Sequence, residues 1–399
     1  MQLFDTARQE VVPFEPRGGR VGIYVCGITP YDSAHLGHAF VYHVFDVLHR
    51  RFRAAGLAVR SVRNITDVDD DILRVARERG MDFRELASEQ VRMFDHDMAE
   101  IGLLPVDAAP RATEHVEEMV DWIARLVDGG YAYAVDGWVF FESGVYPDYG
   151  RLSHLDHATM VALSRERGAD PDDPRKRHPL DFVLWQSSAP SEPSWPSPWG
   201  PGRPGWHIEC TVMATGALGH PIDIHGGGDD LIYPHHESEI AQAEAAGVAP
   251  YVRQWTHVAM VNLDGVKMSK SLGNLVFVRD LVRRVPGPAV RLLLAAHHYR
   301  QSWSYADSEV DAAAARHRRY LAAMQSGGAL SHEEADQHER RFFERLDDDL
   351  DTPGALNELD AVADKLSRAG IAAAPGTEGQ QLLGRLLGVL GAETEAVPA

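Results

Sequence analysis

The sequence predicts an α/β fold in which a parallel sheet is followed by a helical C-terminal region. Residues 21–25 ("VGIYV") and 58–63 ("AVRSVR") have the composition of short strands. The segment between them, "AFVYHVFDVLHRRFRAAG", has the apolar period of a helix and ends in a glycine. A strand, a helix and a strand in this order favour parallel strands in an α/β fold.

Later segments continue the same mixed pattern. Residues 131–143 and 221–228 look like strands, and from about Pro288 onward the pattern is helical. Between 144 and 206 the chain is rich in proline, glycine and serine. This stretch also carries three tryptophans, Trp195, Trp199 and Trp206. Because disordered tracts are poor in aromatic residues, we expect an ordered loop packed on a domain, not a flexible linker.

The bulk composition indicates a globular protein without a membrane or secretory segment. Hydrophobic residues make up 44% and charged residues 25% of the 399 positions. No stretch approaches the roughly 18 apolar residues of a membrane span. Two cysteines are too few for a disulfide framework, so we expect a cytoplasmic protein with reduced thiols. The net charge of −20 opposes broad attraction to nucleic-acid phosphates.

A His-x-Gly-His pattern opens the first helix of the strand–helix–strand unit, within "YVCGITPYDSAHLGHAF" (24–40). His35 and His38 lie one turn apart there, where backbone N–H groups and the helix dipole attract phosphate. Alone the pattern is weak, because a chain with 20 histidines produces it by chance. A polar helix start with surface histidines is the alternative.

A second pattern, "KMSKS", places Lys267 and Lys270 three residues apart between serines. These residues suit a mobile loop that closes on a triphosphate. An isolated lysine pair is more often an exposed basic turn. The ordered combination of an early "HLGH" and a late "KMSKS" is much more specific than either pattern.

Four residues are candidate ligands of one zinc ion: Cys26, Cys210, His235 and Glu239. His235 and Glu239 are four apart on a predicted helix and share a face. Two thiolates would complete the mixed sulfur, nitrogen and oxygen shell that zinc accepts. Spacing alone does not bring these distant residues together. Two unrelated buried cysteines beside a surface His–Glu pair remain the alternative.

The paired "HLGH" and "KMSKS" are typical of class I aminoacyl-tRNA synthetases, and from "LFDTA" to "LLGVLG" the chain resembles the cysteinyl-tRNA synthetase superfamily. Other matching segments are "NITDVDDDI", "GWHIEC" and "IDIHGGGDDLIYPHHE". The resemblance implies a class I synthetase-type Rossmann domain with an inserted segment, followed by an α-helical domain. The implied units are the first Rossmann half (1–110), the insertion (111–200), the second half (201–287) and the helical domain (288–399), with no anticodon-binding domain.

In that superfamily ATP and cysteine form cysteinyl-AMP, and a zinc ion binds the substrate thiol, which excludes serine. The resemblance thus implies ATP with Mg²⁺ as substrate, and one zinc ion per chain on the four candidate ligands. It assigns phosphate contacts to His35, His38, Lys267 and Lys270. The implied adenylate and aminoacyl contacts are Cys26, Gly27, Ile28, Thr29, Asn64, Ile65, Thr66, Trp206, Gly228, Asp229, Asp230 and Val261.

Residues at or near these implied contacts can also be interpreted individually. Trp206 has the alternative of an ordinary core aromatic. Asp32 lies near the predicted phosphate-binding turn, where its side chain is better suited to cap the helix than to act as a catalytic base. Gly226 to Gly228 lack side chains and would admit the adenosine closely.

Within the superfamily, several segments resemble the cysteine ligases of mycothiol biosynthesis, which join cysteine to glucosaminyl-inositol as an amide. These are "CGITPYD", "ERGADP" (166–171), "NLVFVRDL" and "LDTPGAL". The chain departs from that branch at Glu239, where the ligases use three protein ligands, at Val41, where threonine is common, and at Asp229, where serine is usual. "ERGADP" also differs by one residue from the ligase motif. The departures leave the acceptor open.

Three functions therefore remain. The first is an ATP-dependent ligase that joins L-cysteine to glucosaminyl-inositol or another small amine, as a monomer that binds neither tRNA nor a membrane. The second is a shortened cysteinyl-tRNA synthetase, which a basic strip such as "RHRRY" (316–320) would favour. The third is a catalytically silent binding or regulatory protein. The intact "HLGH", "KMSKS" and zinc set count against the third.

Overall fold

The computed structural model describes residues 1–30, 34–268, 273–368 and 377–393. Its strands are β1 (Gln2–Asp5), β2 (Glu10–Pro13), β3 (Arg20–Ile28), β4 (Ala58–Ile65), β5 (Ala132–Val135), β6 (Trp138–Phe141), β7 (Phe182–Ser187), β8 (Gly202–Pro204), β9 (Ile224–Gly228), β10 (Trp255–Val258), β11 (Val261–Leu263), β12 (Val266–Lys267) and β13 (Trp303–Tyr305). Its α-helices are α1 (Leu36–Ala54), α2 (Asp70–Arg79), α3 (Phe83–Glu100), α4 (Val116–Asp128), α5 (His157–Glu166), α6 (Trp206–Leu218), α7 (Glu237–Ala245), α8 (Val278–Val282), α9 (Gly287–Ala295), α10 (Asp307–Met324), α11 (His332–Asp347), α12 (Thr352–Arg368) and α13 (Glu378–Val389). A π-helical turn, Ile232–His236, leads into α7.

A parallel four-stranded sheet with the strand order β10-β9-β3-β4 organises the N-terminal two thirds of the chain. The predicted strand–helix–strand unit is confirmed as β3, α1 and β4. Because these strands run in one direction, their carboxyl ends share one edge of the sheet. In open α/β sheets that edge is where ligands bind.

Side chains of β3 alternate between two apolar cores, one on each face of the sheet. Ile23 and Val25 pack in the core that contains α1, whereas Tyr24 and Cys26 pack in the core that contains α6. This alternation directs Cys26 toward α6, the helix that carries the other cysteine.

Helix α1 begins where the sequence predicted a helix start. His35 has extended backbone angles, and its side chain accepts a hydrogen bond from the His38 N–H, as an N-cap does. Gly56, just beyond the end of the helix, has a φ of 80°, a left-handed conformation that glycine adopts without strain. The helix therefore presents its N-terminus to the carboxyl edge of the sheet.

The stretch 144–206 is more regular than the predicted loop. It contains α5, and its strands β7 and β8 complete an antiparallel sheet with the order β5-β6-β7-β8. Trp195 pairs through its backbone with Gly202, and the ring of Trp199 lies 6.3 Å from that of the fully buried Trp185. The prediction that the tryptophans hold this stretch in an ordered state agrees with these contacts.

The C-terminal helices pack on α1, the helix of the strand–helix–strand unit. Arg291 of α9, fully buried, forms an ion pair with Asp46 of α1, which also pairs with Arg50 at 2.9 Å. Strand β13 lies among these helices but pairs with β11, so the sequence-based boundary at 287 stays a prediction. Within the described ranges we find no helix long and apolar enough to cross a membrane.

Candidate active site

A cavity of about 450 Å³ opens at the carboxyl ends of β3 and β9. It also reaches the start of α1 and the N-terminus of α6, so distant parts of the chain converge on it. Sequence-predicted site residues that line it are Cys26, Gly27, Ile28, Thr29, His35, His38, Trp206, Gly228, Asp230 and Val261.

The four predicted zinc ligands lie together behind the cavity wall at Cys26. Cys26 comes from β3, Cys210 from α6 and Glu239 from α7, while His235 lies in the π-helical turn before α7. All four are buried, with exposed fractions of 5% or less. One donor atom of each lies within 4.8 Å of the donor atoms of the others.

The separations between these donor atoms match the edges of a zinc tetrahedron. Zinc–ligand distances of about 2.0–2.3 Å imply edges of about 3.8 Å between two sulfurs, about 3.6 Å between sulfur and oxygen and about 3.4 Å between nitrogen and oxygen. The observed values are 3.6 Å from Cys26 Sγ to Cys210 Sγ, 3.6 Å from Cys26 Sγ to Glu239 Oε1 and 3.2 Å from His235 Nε2 to Glu239 Oε1. The donor set therefore fits zinc.

A second grouping of metal-ligating side chains, Cys26, His225, His236 and Glu239, overlaps the first. Its separations are shorter: 3.1 Å from His236 Nε2 to Cys26 Sγ and 2.9 Å from His225 Nε2 to Glu239 Oε2. These are hydrogen-bond distances, about 0.5 Å below the tetrahedral edges. We therefore assign His225 and His236 to the support of the ligands.

Glu239 is held so that one of its oxygens remains available to a metal. Its Oε2 receives the Tyr251 hydroxyl at 2.9 Å and lies 2.9 Å from His225 Nε2. Its Oε1 faces Cys26 and His235. Hydrogen bonds of this kind orient a carboxylate ligand and tune its affinity for the metal.

Further imidazoles brace the other two sides of the cluster. From Cys26 a chain of contacts runs through His236 to His257 at 2.7 Å, and from His257 to the Thr6 hydroxyl at 2.7 Å. On the opposite side, His207 Nδ1 lies 2.9 Å from His235 Nδ1, so the His235 Nε2 atom is the one directed at Glu239.

Burial sets the protonation of this cluster. It lowers the pKa of His235 and His236 well below 6.5 and that of His257 to about 3, so the three rings are neutral at pH 7. Neutral imidazole is the form that binds metals. Burial also raises the pKa of the Cys26 and Cys210 thiols. A bound cation is what would favour their thiolate forms.

The part of the cavity that the sequence predicts to bind phosphate lies at the N-terminus of α1. The rings of His35 and His38 stack there with centroids 3.8 Å apart. Since His35 Nδ1 accepts the cap hydrogen bond, Nε2 is the ring nitrogen that can donate a hydrogen bond into the cavity. The backbone of Lys267 lies on β12, whereas Lys270 and Asp32 fall outside the described residues.

Other predicted contacts lie behind the wall instead of on it. Asn64 and Thr66 are buried, and the Asn64 amide oxygen accepts the Gly27 N–H at 2.7 Å. A Cβ at Gly27 would overlap the Asn64 carbonyl oxygen, so this strand turn requires glycine. Ile65 is likewise buried, and Asp229 does not line the cavity. All of these assignments stay predictions.

The glycine run differs in part from expectation. A side chain at Gly226 would overlap the Thr256 carbonyl oxygen, so this glycine serves strand packing. At Gly228, which does line the cavity, a Cβ would lie 2.6 Å from Asp230 Oδ1.

Sequence reasoning missed several residues of the site. Three supporting histidines stand within recognised segments ("GWHIEC", "IDIHGGG", "YPHHE"), which was the available signal; they are His207, His225 and His236. The fourth, His257 on β10, stands in no recognised segment. Three charged residues of the cavity lining were missed as well: Asp69, Asp71 and Arg167.

The chain matches known proteins over most of its length. Residues 13–315 match the family model described as tRNA synthetases class I (C) catalytic domain. A protein of Thioalkalivibrio sulfidiphilus named cysteine–tRNA ligase is 45% identical over 400 residues, which cover 98% of this chain and 85% of that relative. A protein of Streptosporangium roseum named L-cysteine:1D-myo-inositol 2-amino-2-deoxy-alpha-D-glucopyranoside ligase is 43% identical over 392 residues, which cover 98% and 95%.

Solved structures of class I synthetases share the fold. Mycobacterium tuberculosis methionyl-tRNA synthetase in complex with methionyl-adenylate aligns over 93% of this chain and 89% of its own, with a TM-score of 0.66 and 17% identity. Agrobacterium radiobacter K84 agnB2 LeuRS aligns over 95% and 84%, with a TM-score of 0.67 and 13% identity. At these identities the likeness concerns the fold alone.

Proposed function

The chain belongs to the family of class I tRNA synthetase catalytic domains described as tRNA synthetases class I (C), and from this premise we propose that it activates L-cysteine with ATP and joins it to the amine of glucosaminyl-inositol. Its family and its α/β class I fold are those that the sequence predicted. The chain is thus a ligase. The observation that carries the proposal is the set of four buried metal-ligating side chains beside a cavity at the carboxyl edge of the sheet.

The four ligands give the protein a means to select cysteine. Zinc held by Cys26, Cys210, His235 and Glu239 would supply a soft Lewis acid that binds a thiolate in preference to the hydroxyl of serine. Tyr251 and His225 fix the orientation of Glu239. Apolar contact alone discriminates weakly between substrates of such similar size.

In the first half-reaction a carboxylate oxygen of cysteine attacks the α-phosphorus of ATP, which enters with Mg²⁺. The bond from this phosphorus to the bridging oxygen breaks, and pyrophosphate leaves. His35 and His38 donate hydrogen bonds to the phosphates from the start of α1, and Lys267 and Lys270 bind the leaving pyrophosphate. The residues thus stabilise negative charge by their fixed positions, the effect expected to dominate in such a step.

The rest of the cavity holds cysteinyl-AMP. Thr29 and the backbone from residue 26 to residue 29 contact the adenylate, and Asp230 takes the ribose hydroxyls. Trp206, 40% exposed, lies with its ring 4.2 Å from the ring of His235 and walls the cysteine. Val261 closes the nucleotide side. In the second half-reaction the acceptor nitrogen attacks the carbonyl carbon, and AMP leaves.

Two features of the cavity support the acceptor of the mycothiol ligases. Arg167, from the ligase-like "ERGADP", lines the cavity and donates hydrogen bonds to the carbonyls of Asp230 and Tyr233. Asp71 lines it as well. Carboxylates attract an ammonium group and repel RNA phosphates. The relative from Streptosporangium roseum is named for this acceptor class.

Charging of tRNA is the second candidate, because the relative from Thioalkalivibrio sulfidiphilus is equally similar. A basic strip at 316–320 would favour this function, but a carboxylate neutralises part of its charge. Arg316 pairs with Asp360 at 3.1 Å, and Arg319 pairs with the same carboxylate. A cytoplasmic monomer stays a prediction for either function.

Two assays on the purified protein test the proposal. ATP–pyrophosphate exchange should depend on cysteine, and serine should not replace it. AMP should then be released with glucosaminyl-inositol and not with cysteine tRNA. Exchange without release by either acceptor would retain the activation step and reject the acceptor. An absence of exchange would reject the proposed function and favour a catalytically silent binding protein.

A further inference from the structure

Glu209 is a buried carboxylate that no other feature of the site explains. Its exposed fraction is 1%, and neither side-chain oxygen has a hydrogen-bond partner at bonding geometry among the described residues. A carboxyl group whose two oxygens both lack hydrogen-bond partners is costly to bury. Such a group points to a positively charged ligand that is absent from the chain itself.

Among the described residues, an arginine supplies only part of the missing charge. The charge of Arg203 favours the ionised form of Glu209, but the Arg203 guanidinium also forms an ion pair with Asp70. The neighbouring Asp67 has its own partners: it receives the Thr113 N–H at 2.9 Å and the Thr113 hydroxyl at 2.7 Å. The remaining neighbours of Glu209 are the Thr66 hydroxyl and the carboxylate of Asp69.

The position of Glu209 relates it to the substrate cavity. On α6 it lies three residues after Trp206 and one before Cys210, so the three share one side of the helix. Trp206 lines the cavity and Cys210 belongs to the thiol-binding cluster. Asp69, which acts on Glu209, lines the same cavity.

We propose that Glu209 and Asp69 bind the α-ammonium group of the cysteine substrate. The inference rests on the proposed function, in which the substrate thiol lies at Cys26 and Cys210. With the thiol anchored there, the α-carbon is two bonds from the sulfur, so the ammonium group stays close to the cluster, and Glu209, next to Cys210 on α6, is the unpartnered carboxyl group beside it. The two carboxylates supply charge and the Thr66 hydroxyl supplies a further acceptor.

The test uses Asp69→Asn and Glu209→Gln in the full chain. Asp69 Oδ1 caps α2 by accepting the Asp71 N–H at 2.7 Å, and asparagine is an equally good cap. Asp82→Asn is the matched control. Asp82 caps α3 in the same way, accepting the Arg84 N–H at 2.8 Å, but it does not line the cavity.

The measured quantities are the KM for cysteine in ATP–pyrophosphate exchange and the inhibition constant of 3-mercaptopropionate, a thiol acid without an amino group. Loss of a charge-assisted hydrogen bond should raise the cysteine KM about tenfold or more in both variants. The inhibition constant of 3-mercaptopropionate should stay within about twofold, since it has no ammonium to lose. Asp82→Asn should change neither value.

Several outcomes would overturn the inference. An unchanged cysteine KM in both variants would do so, and so would a parallel rise in the KM and in the inhibition constant, which indicates general damage. A rise confined to the KM of the acceptor amine would assign the carboxylates to the acceptor instead. If Glu209→Gln fails to fold, Asp69→Asn alone decides. Failure of the wild-type protein to exchange would reject the proposed function and this assignment with it, whereas exchange by the wild type with unchanged variants would reject this assignment alone.

Discussion

Replacement of Tyr251 by phenylalanine should weaken zinc binding without disturbing the fold. The Tyr251 hydroxyl donates to Glu239 Oε2 at 2.9 Å, and the side chain is 1% exposed, so water does not replace the lost donor. The substitution keeps the ring and removes one oxygen. His225 still holds the same carboxylate oxygen at 2.9 Å. Glu239 therefore stays in place with one of its two supports missing.

The size of the effect follows from the hydrogen bond that is lost. A hydrogen bond to a charged group contributes about 1.5–3 kcal/mol, which corresponds to about tenfold to hundredfold in an equilibrium constant. Loss of a hydrogen bond that supports a metal ligand commonly costs the same range in metal affinity. We therefore expect the zinc Kd of Tyr251→Phe to rise about tenfold to hundredfold, measured by competition with a fluorescent chelator at pH 7.

Tyr146→Phe is the matched control for this measurement. The Tyr146 hydroxyl donates to Glu244 Oε2 at 2.7 Å, and Glu244 lies on the same helix as Glu239 but outside the metal cluster. Its zinc Kd should equal that of the wild type. If Tyr251→Phe binds zinc within twofold of Tyr146→Phe, Glu239 does not ligate zinc in the way the geometry indicates.

Three further substitutions test the fold and the catalytic assignment. Asp46→Asn should lower the free energy of unfolding by about 3–5 kcal/mol in urea, because it leaves the buried Arg291 charge without its partner; a loss below about 1 kcal/mol would contradict this. Burial raises the pKa of Asp46, but the opposing effects, of which the charge of Arg291 is the largest, together outweigh it, so the pKa in the folded protein lies below 3.8. The ion pair therefore contributes fully to the free energy of unfolding above pH 3.8, and this contribution is lost as the pH falls through the folded-state pKa. Gly226→Ala should lower the unfolding midpoint, because its Cβ would overlap the Thr256 carbonyl oxygen on the adjacent strand; an unchanged midpoint would count against the close packing of β9 on β10. Lys270→Ala should abolish ATP–pyrophosphate exchange, and full exchange in that variant would refute its catalytic role.

The sequence predicted those parts of the fold in which a local period determines the structure. The helix α1 and its flanking strands follow from an apolar repeat bounded by a polar start and Gly56. The insertion was harder, because β8 is only three residues long and pairs with β7, which lies some fifteen residues earlier in the chain. The proline and serine residues between these two strands are typical of a loop and gave no indication of a sheet.

The zinc site was predictable only through resemblance. Cys26 and Cys210 meet because β3 alternates its side chains between two cores and α6 packs on the second of them. Neither fact can be obtained from the spacing of the cysteines. The supporting residues were missed for a related reason, since a single histidine such as His257 has no pattern until the strands are placed side by side.

The measurement that tests the account most directly is the mass of the product formed from ATP and cysteine when glucosaminyl-inositol and cysteine tRNA are both present. The account predicts one new species, the amide of cysteine and the amino sugar, with the mass of the two less one water, and tRNA that stays uncharged. Cysteinyl-tRNA as the product, with the amino sugar unchanged, would contradict it.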